Sequence, residues 1–192
     1  MQIEYEATFP DIDKDVTRAK LREAGAELVR PEFIQKRKVF YLPSGHEIPG
    51  AWVRVRDEGD KITACLKIVD GQKIENQKEI NLDVNDFGAA CELFVTLGCK
   101  EKGYQVTKRE LWRLDGVEIT IDEWPYLEPF VEVEGKSEEA VQAVAEKLGF
   151  EYSQALFCAV DVLYSKKYNI TFDRINDHTP IIDFAAPNPF ID

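Results

Sequence analysis

Histidine is almost missing from this chain. Only His46 and His178 occur, both in proline-flanked loops far apart in sequence, so a zinc site has no ligand set to draw on. Cysteine is sparse as well: Cys65, Cys91, Cys99 and Cys158 are scattered without a CxxC spacing. No long apolar run is present, and Met1-Gln2-Ile3 does not open a secretory leader. Reduced thiols in a cytoplasmic protein are therefore expected. Positive charge is in short supply, with 24 Lys and Arg against 36 Asp and Glu and a formal net charge of -12. That balance argues against nucleic acid or an anionic membrane as the main partner. A local group of bases could still hold an anion inside an acidic shell.

What is present is a pattern of alternation. The 192 residues are 44% hydrophobic and 11% aromatic, enough for a real core. Two segments carry the same paired acids, Glu4-Tyr5-Glu6 and Glu132-Val133-Glu134. Each reads as a β-strand, so both carboxylates of a pair share one face while Ile3, Tyr5, Val131 and Val133 point the other way. Further strands are predicted over 35–42, 51–57, 62–69, 78–84, 104–114 and 117–124. Helices are predicted from Asp11 to Ala24, from Asp86 to Leu97 and from Ser137 to Leu148, each ended by a glycine, with one more over 153–168. No linker or low-complexity run divides the chain. About eight strands with few helices favour an antiparallel α+β barrel or a strongly curved sheet.

Alternate residues sort the charges. Val53 and Val55 oppose Arg54 and Arg56; Leu66 opposes Lys67; Ile119 and Ile121 oppose Asp122. One sheet face thus carries Glu4, Glu6, Arg54, Arg56, Lys67, Arg109, Asp122, Glu132 and Glu134. A solvated outer face explains this pattern as readily as a ligand site does. Closure of the strands would instead enclose the charges in a lumen, where they need counter-charges or a ligand. A mixed lining then suggests a polyphosphate with divalent cations: bases grip phosphate oxygens and carboxylates hold the metal. The run Lys36-Arg37-Lys38 reads as a solvated strand first, with use in the lumen as the lesser alternative.

The ordered set Glu4-Tyr5-Glu6, Val53-Arg54-Val55-Arg56, Leu66-Lys67, Gln77-Lys78-Glu79, Lys108-Arg109, Ile121-Asp122 and Phe130-Val131-Glu132-Val133-Glu134 resembles the CYTH superfamily, the triphosphate tunnel metalloenzymes, and is most similar to its class IV adenylyl cyclase-like branch. The resemblance implies a closed eight-stranded antiparallel β-barrel of α+β class with helices packed outside, spanning residues 1–170, and a proline-containing tail over 171–192 packed on the surface. It implies Mg²⁺ or Mn²⁺ at Glu4, Glu6, Glu132, Glu134 and Asp122. Phosphate contacts are implied for Arg54, Arg56, Lys67, Arg109 and Lys108, catalytic roles for Asp122, Arg109 and Lys67, and support from Glu79. Lys166 or Lys167 would approach the tunnel from the last helix. The implied ligand is a triphosphate small molecule such as ATP, with no nucleic acid or membrane partner; a homodimer stays open. The implied activity is conversion of ATP to cAMP and pyrophosphate, with inorganic or thiamine triphosphate hydrolysis as the alternative. Two departures stand out: Thr8 and Thr107 occupy places where the family pattern has lysine. They leave a third reading, a non-catalytic nucleotide or polyphosphate binder.

Overall fold

The computed structural model describes residues 1–191. Strands β1 (Gln2–Ile3) and β2 (Tyr5–Phe9) are one strand split at Glu4. They are followed by α1 (Lys14–Glu23), β3 (Glu27–Tyr41), β4 (Ala51–Asp57), β5 (Ile62–Val69), β6 (Gln77–Val84), α2 (Phe87–Thr96), β7 (Lys100–Leu114), β8 (Val117–Glu123), β9 (Phe130–Gly135) and α3 (Glu138–Lys147). The chain finishes with α4 (Asp161–Tyr168), α5 (Phe172–Asn176) and β10 (Ile181–Ile182). Aspartate and serine side chains cap the helices as their sequence positions predict. Asp13 accepts from the Asp15 and Val16 amides, Asp86 from that of Ala89 and Ser137 from that of Ala140.

The strand order is β1-β6-β5-β4-β3-β7-β8-β9-β2. Because β1 and β2 are consecutive, the sheet returns to itself. Gln2 and Ile3 pair with β6, the Glu4 amide donates to the Gln77 carbonyl at 2.9 Å, and Tyr5 through Phe9 pair with β9. Eight strands therefore circle a lumen, with β10 off the ring against β7. All ladders on the ring are antiparallel. The Asp115-Gly116 turn joining β7 to β8 has φ of 52° and 80°, the left-handed pair a tight hairpin requires.

The apolar faces of β2, β4, β5, β8 and β9 look outward, against the helices. Ala7, Phe9, Trp112, Ile119, Ile121, Val131 and Val133 pack with Leu21 of α1 and Val141, Val144 and Ala145 of α3. Phe40, Val53, Val55 and Ala64 pack with Ala90 and Cys91 of α2. The hydrophobic core is thus a sleeve outside the barrel, and the polar face is left for the lumen. No helix among the described residues is long and apolar enough to cross a membrane.

Three expectations need correction. First, the predicted helix over 153–168 is a short 3₁₀ turn at Tyr152–Gln154, then an extended stretch in which Leu156 bridges to Thr8, then α4 from Asp161. Second, β3 begins at Glu27 rather than Gln35 and runs 15 residues, with register shifts between Leu28 and Arg30 and between Arg30 and Phe33 that absorb Pro31. Third, the tail does not merely wrap the surface. Ile175, Thr179 and Ile182 are buried, and with Trp124, Phe130, Leu163, Tyr164 and Phe190 they close one end of the barrel. The Tyr104 amide donates to the Pro180 carbonyl at 2.8 Å. Gly103 permits that approach, since a Cβ there would sit 3.2 Å from the same oxygen. Asp192, the last residue of the predicted tail, lies outside the described residues.

Candidate active site

The strands β2, β4, β5 and β9 deliver their charged residues inward because their apolar residues are drawn outward by the helices. The lumen is a cavity of about 670 Å³, within the range of small-molecule sites. Glu4, Glu6, Arg54, Arg56, Lys67, Glu79, Arg109, Glu132 and Glu134 line it. Of the expected site residues, the structure thus gathers nine on one surface.

The acids cluster where β2 meets β9, since Glu6 faces Glu134 and Thr8 faces Glu132 across the ladder. Lys67 Nζ lies 2.9 Å from Glu4 Oε2 and 3.5 Å from Glu6 Oε1. The Glu4 contact is out of line for a hydrogen bond, and that buried oxygen has no aligned partner. Glu132 accepts from Arg109 Nη2 at 2.5 Å. Burial, then repulsion from Glu6 and Asp122, nevertheless pushes Glu132 up to about 8. Glu134 is more open to solvent through the lumen than its neighbours, yet enclosure by the wall and the charges of Glu6 and Glu4 raise it to about 7. Burial also raises Glu4, against the pull of Lys67. Burial disfavours the Lys67 ammonium, but Glu6 and Glu4 outweigh it and hold the proton more tightly than usual.

The bases fall into two kinds. Arg109 is fully engaged: its Nε and Nη2 bind Asp122 at 2.7 and 2.8 Å in addition to Glu132. Asp122 is completely buried behind it and also accepts from Thr120 Oγ1 at 2.6 Å. Asp122 therefore stands as the orienting partner of Arg109 and does not reach the cavity wall. Arg54 and Arg56 are loosely held. Arg54 Nη2 is 3.8 Å from Glu79, and Arg56 Nε, though 2.7 Å from Glu58 Oε1, lacks hydrogen-bond alignment. Burial, then Arg54 and Arg109, lowers Arg56 to about 10.

Several expected residues lie elsewhere. Lys108 points out of the barrel, bound to Glu123 at 2.8 Å and resting over the Phe184 ring; strand alternation from Arg109 requires this. Lys167 is held on the surface by Glu128 at 2.8 Å, and neither it nor Lys166 lines the cavity. Conversely, the sequence favours a solvated Arg37 over a lumen one, whereas it is 4% exposed and inside the lumen. The available signal was parity with Gln35, hidden by basic neighbours on both sides. Trp52, Phe33 and Trp124 also line the cavity.

Among the described residues, no three carboxylate, histidine or cysteine side chains already stand together at metal-binding geometry. The donor chemistry nonetheless fits a hard divalent cation. The four glutamates offer oxygen only, burial and then the charge of Glu6 raise Glu132 and Glu134, and one buried Glu4 oxygen is unpartnered.

Residues 2–163 match the family model described as the CYTH domain. Comparison with curated proteins returns no match. Among solved structures, a conserved hypothetical protein from Pyrococcus furiosus is similar at 24% identity, TM-score 0.69, covering 83% of this chain and 99% of that one. A candidate adenylate cyclase from Vibrio parahaemolyticus is similar at 12% identity, TM-score 0.71, covering 85% and 98%. A candidate adenylyl cyclase from Hippeastrum, described as having a dominant triphosphatase activity, is similar at 14% identity, TM-score 0.57, covering 85% and 96%.

Proposed function

Since the chain belongs to the CYTH domain family, we propose that it is a divalent-metal-dependent enzyme acting on an organic triphosphate, with conversion of ATP to cAMP and pyrophosphate as its reaction. One observation carries this reading: the enclosed lumen sets four repelling carboxylates beside a group of under-partnered guanidinium groups. Each half lacks what a metal–triphosphate would bring.

Glu4, Glu6, Glu132 and Glu134 would hold Mg²⁺ or Mn²⁺, which when bound supplies a Lewis acid and lowers the pKa of an attacking hydroxyl. Arg54, Arg56 and Lys67 would bind the phosphate oxygens and offset negative charge growing on the departing pyrophosphate. Arg109, fixed in place by Asp122, would do so from β7 with little reorganisation. Glu79 would keep Arg54 turned inward. Trp52, Phe33 and Trp124 add aromatic surface suited to an organic group rather than to a bare inorganic chain. The plugged end excludes bulk water on one side.

Hydrolysis of the terminal phosphoryl group is the second reading, favoured by the solvent access at Glu134. Incubating purified protein with ATP and Mn²⁺ and resolving the products tests both. Cyclic AMP with pyrophosphate is the expected result. Orthophosphate would install the hydrolase. Neither product, with thermal stabilisation by triphosphate, would leave a binder, and no stabilisation by any polyphosphate would overturn the proposal.

A further inference from the structure

Arg37 sits in the lumen with no carboxylate of its own. Its Nη2 donates to Gln35 Oε1 at 2.5 Å and to Thr107 Oγ1 at 2.7 Å, both neutral acceptors. Its guanidinium stacks on Trp124 at 4.6 Å. Across the β3–β4 ladder its direct partner is Arg56, and two residues on Val39 pairs with Arg54. Like charges directly opposite one another destabilise a sheet, and here Arg37 is buried and Arg56 largely so. The acids nearby are committed: Glu58 and Glu79 lie against Arg56 and Arg54, and Asp122 is held by Arg109. Three inward guanidinium groups, those of Arg37, Arg54 and Arg56, each retain a buried Nε without a hydrogen-bond partner. Arginine does not shed its proton to escape such a place. Burial followed by the charges of Arg54, Arg56 and Arg109 lowers the Arg37 pKa, the same conflict seen from the proton's side.

We propose that Arg37, Arg54 and Arg56 form a metal-independent anion seat that takes one phosphoryl group of the substrate, with Arg37 filling the place left open by Thr107. The inference rests on the triphosphate reading above and divides the lumen by chemistry. The four glutamates would act through a cation, whereas this seat contacts phosphate oxygen directly through forked N–H donors. A polyphosphate chain would then be anchored before any metal arrives. The uncompensated Arg37 is a stability cost to the ligand-free barrel that the anion removes.

The test is calorimetric titration of inorganic tripolyphosphate in EDTA, with Arg37→Met and Arg37→Lys beside wild type, and urea unfolding of each ligand-free protein. Wild type should bind without metal. Arg37→Met should bind roughly 10- to 100-fold more weakly, the loss expected for one forked charge-assisted contact. Arg37→Lys, which keeps the charge without the fork, should fall between. Ligand-free Arg37→Met should be at least as stable as wild type. Unchanged affinity in Arg37→Met would overturn the inference. So would misfolding of both variants, since Arg37 would then be holding the barrel and not a ligand. Wild type that binds tripolyphosphate only with Mn²⁺ would sink the seat but leave the proposed function standing. Wild type that binds under neither condition would sink both.

Discussion

Raising the pH should loosen the metal-free protein. Glu132 titrates near 8 and Glu134 near 7 in the fold, against about 4.5 for a free glutamate. Their folded pKa values are raised, so the folded state holds protons that the unfolded chain has released. That contribution is fully present below about pH 4.5 and is lost as pH climbs through 7 and 8. A carboxyl shifted as far as Glu132 would, in a dry site, weigh about 4–5 kcal/mol against the fold at high pH. Water entering the lumen from its open end screens this, and about 2 kcal/mol remains. For a chain of this size that is a fall in Tm of roughly 4–8 °C between pH 5.5 and 8.5 in EDTA. Differential scanning fluorimetry reads it directly. Glu132→Gln mimics the protonated acid and should flatten the slope, matching wild type at pH 5.5 and exceeding it at pH 8.5. Mn²⁺ needs the deprotonated carboxylates, so it should raise Tm more at pH 8 than at pH 6. A metal-free Tm that is constant or climbs between pH 6 and 8 would refute the claim that these acids repel inside an enclosed lumen.

Glu6→Ala should cut Mn²⁺-dependent turnover at least 100-fold while leaving the metal-free Tm unchanged or higher, because it relieves the charge acting on Glu132; product assays and fluorimetry on one preparation decide it, and full activity counts against the acid cluster. Thr107→Lys would set an ammonium where Arg37 Nη2 now bonds at 2.7 Å, and should destabilise by about 1–3 kcal/mol. Adding Arg37→Gln to that variant should recover most of the loss, and additive effects in urea unfolding would deny the contact. Tyr164→Phe removes a buried hydrogen bond to the Pro125 carbonyl at 2.7 Å, at a cost of about 1–2 kcal/mol; an unchanged unfolding midpoint would show that the plug does not depend on it.

The barrel was legible because alternation in β4, β5, β8 and β9 is clean: branched apolar residues on one parity, charged residues on the other. The same parity rule names eight of the lumen residues. It failed where parity was masked or the chain left the ladder. Arg37 lies between two lysines, so three bases in a row conceal which one turns inward. Lys108 beside Arg109 posed the same problem, and there the resemblance implied a phosphate contact that strand geometry forbids. The first half of β3 was missed because Val29, Phe33 and Ile34 lie at the barrel rim around Pro31, where no helix covers them and alternation lapses. The plug escaped because α4, α5 and β10 are too short to show a period, and their burial arises from packing against Trp124 and Phe130 far away in sequence.

The split strand at Glu4 ties the order of assembly to the site. Its residues 5–9 find their ladder partners in 131–135, more than a hundred residues away, a contact of high order that is slow to form. Closing that seam is also the act that brings Glu4 and Glu6 to Glu132 and Glu134. A half-built barrel therefore carries two separate acid pairs and no quartet, and under the metal-binding reading proposed above metal would be captured only once that last seam has zipped.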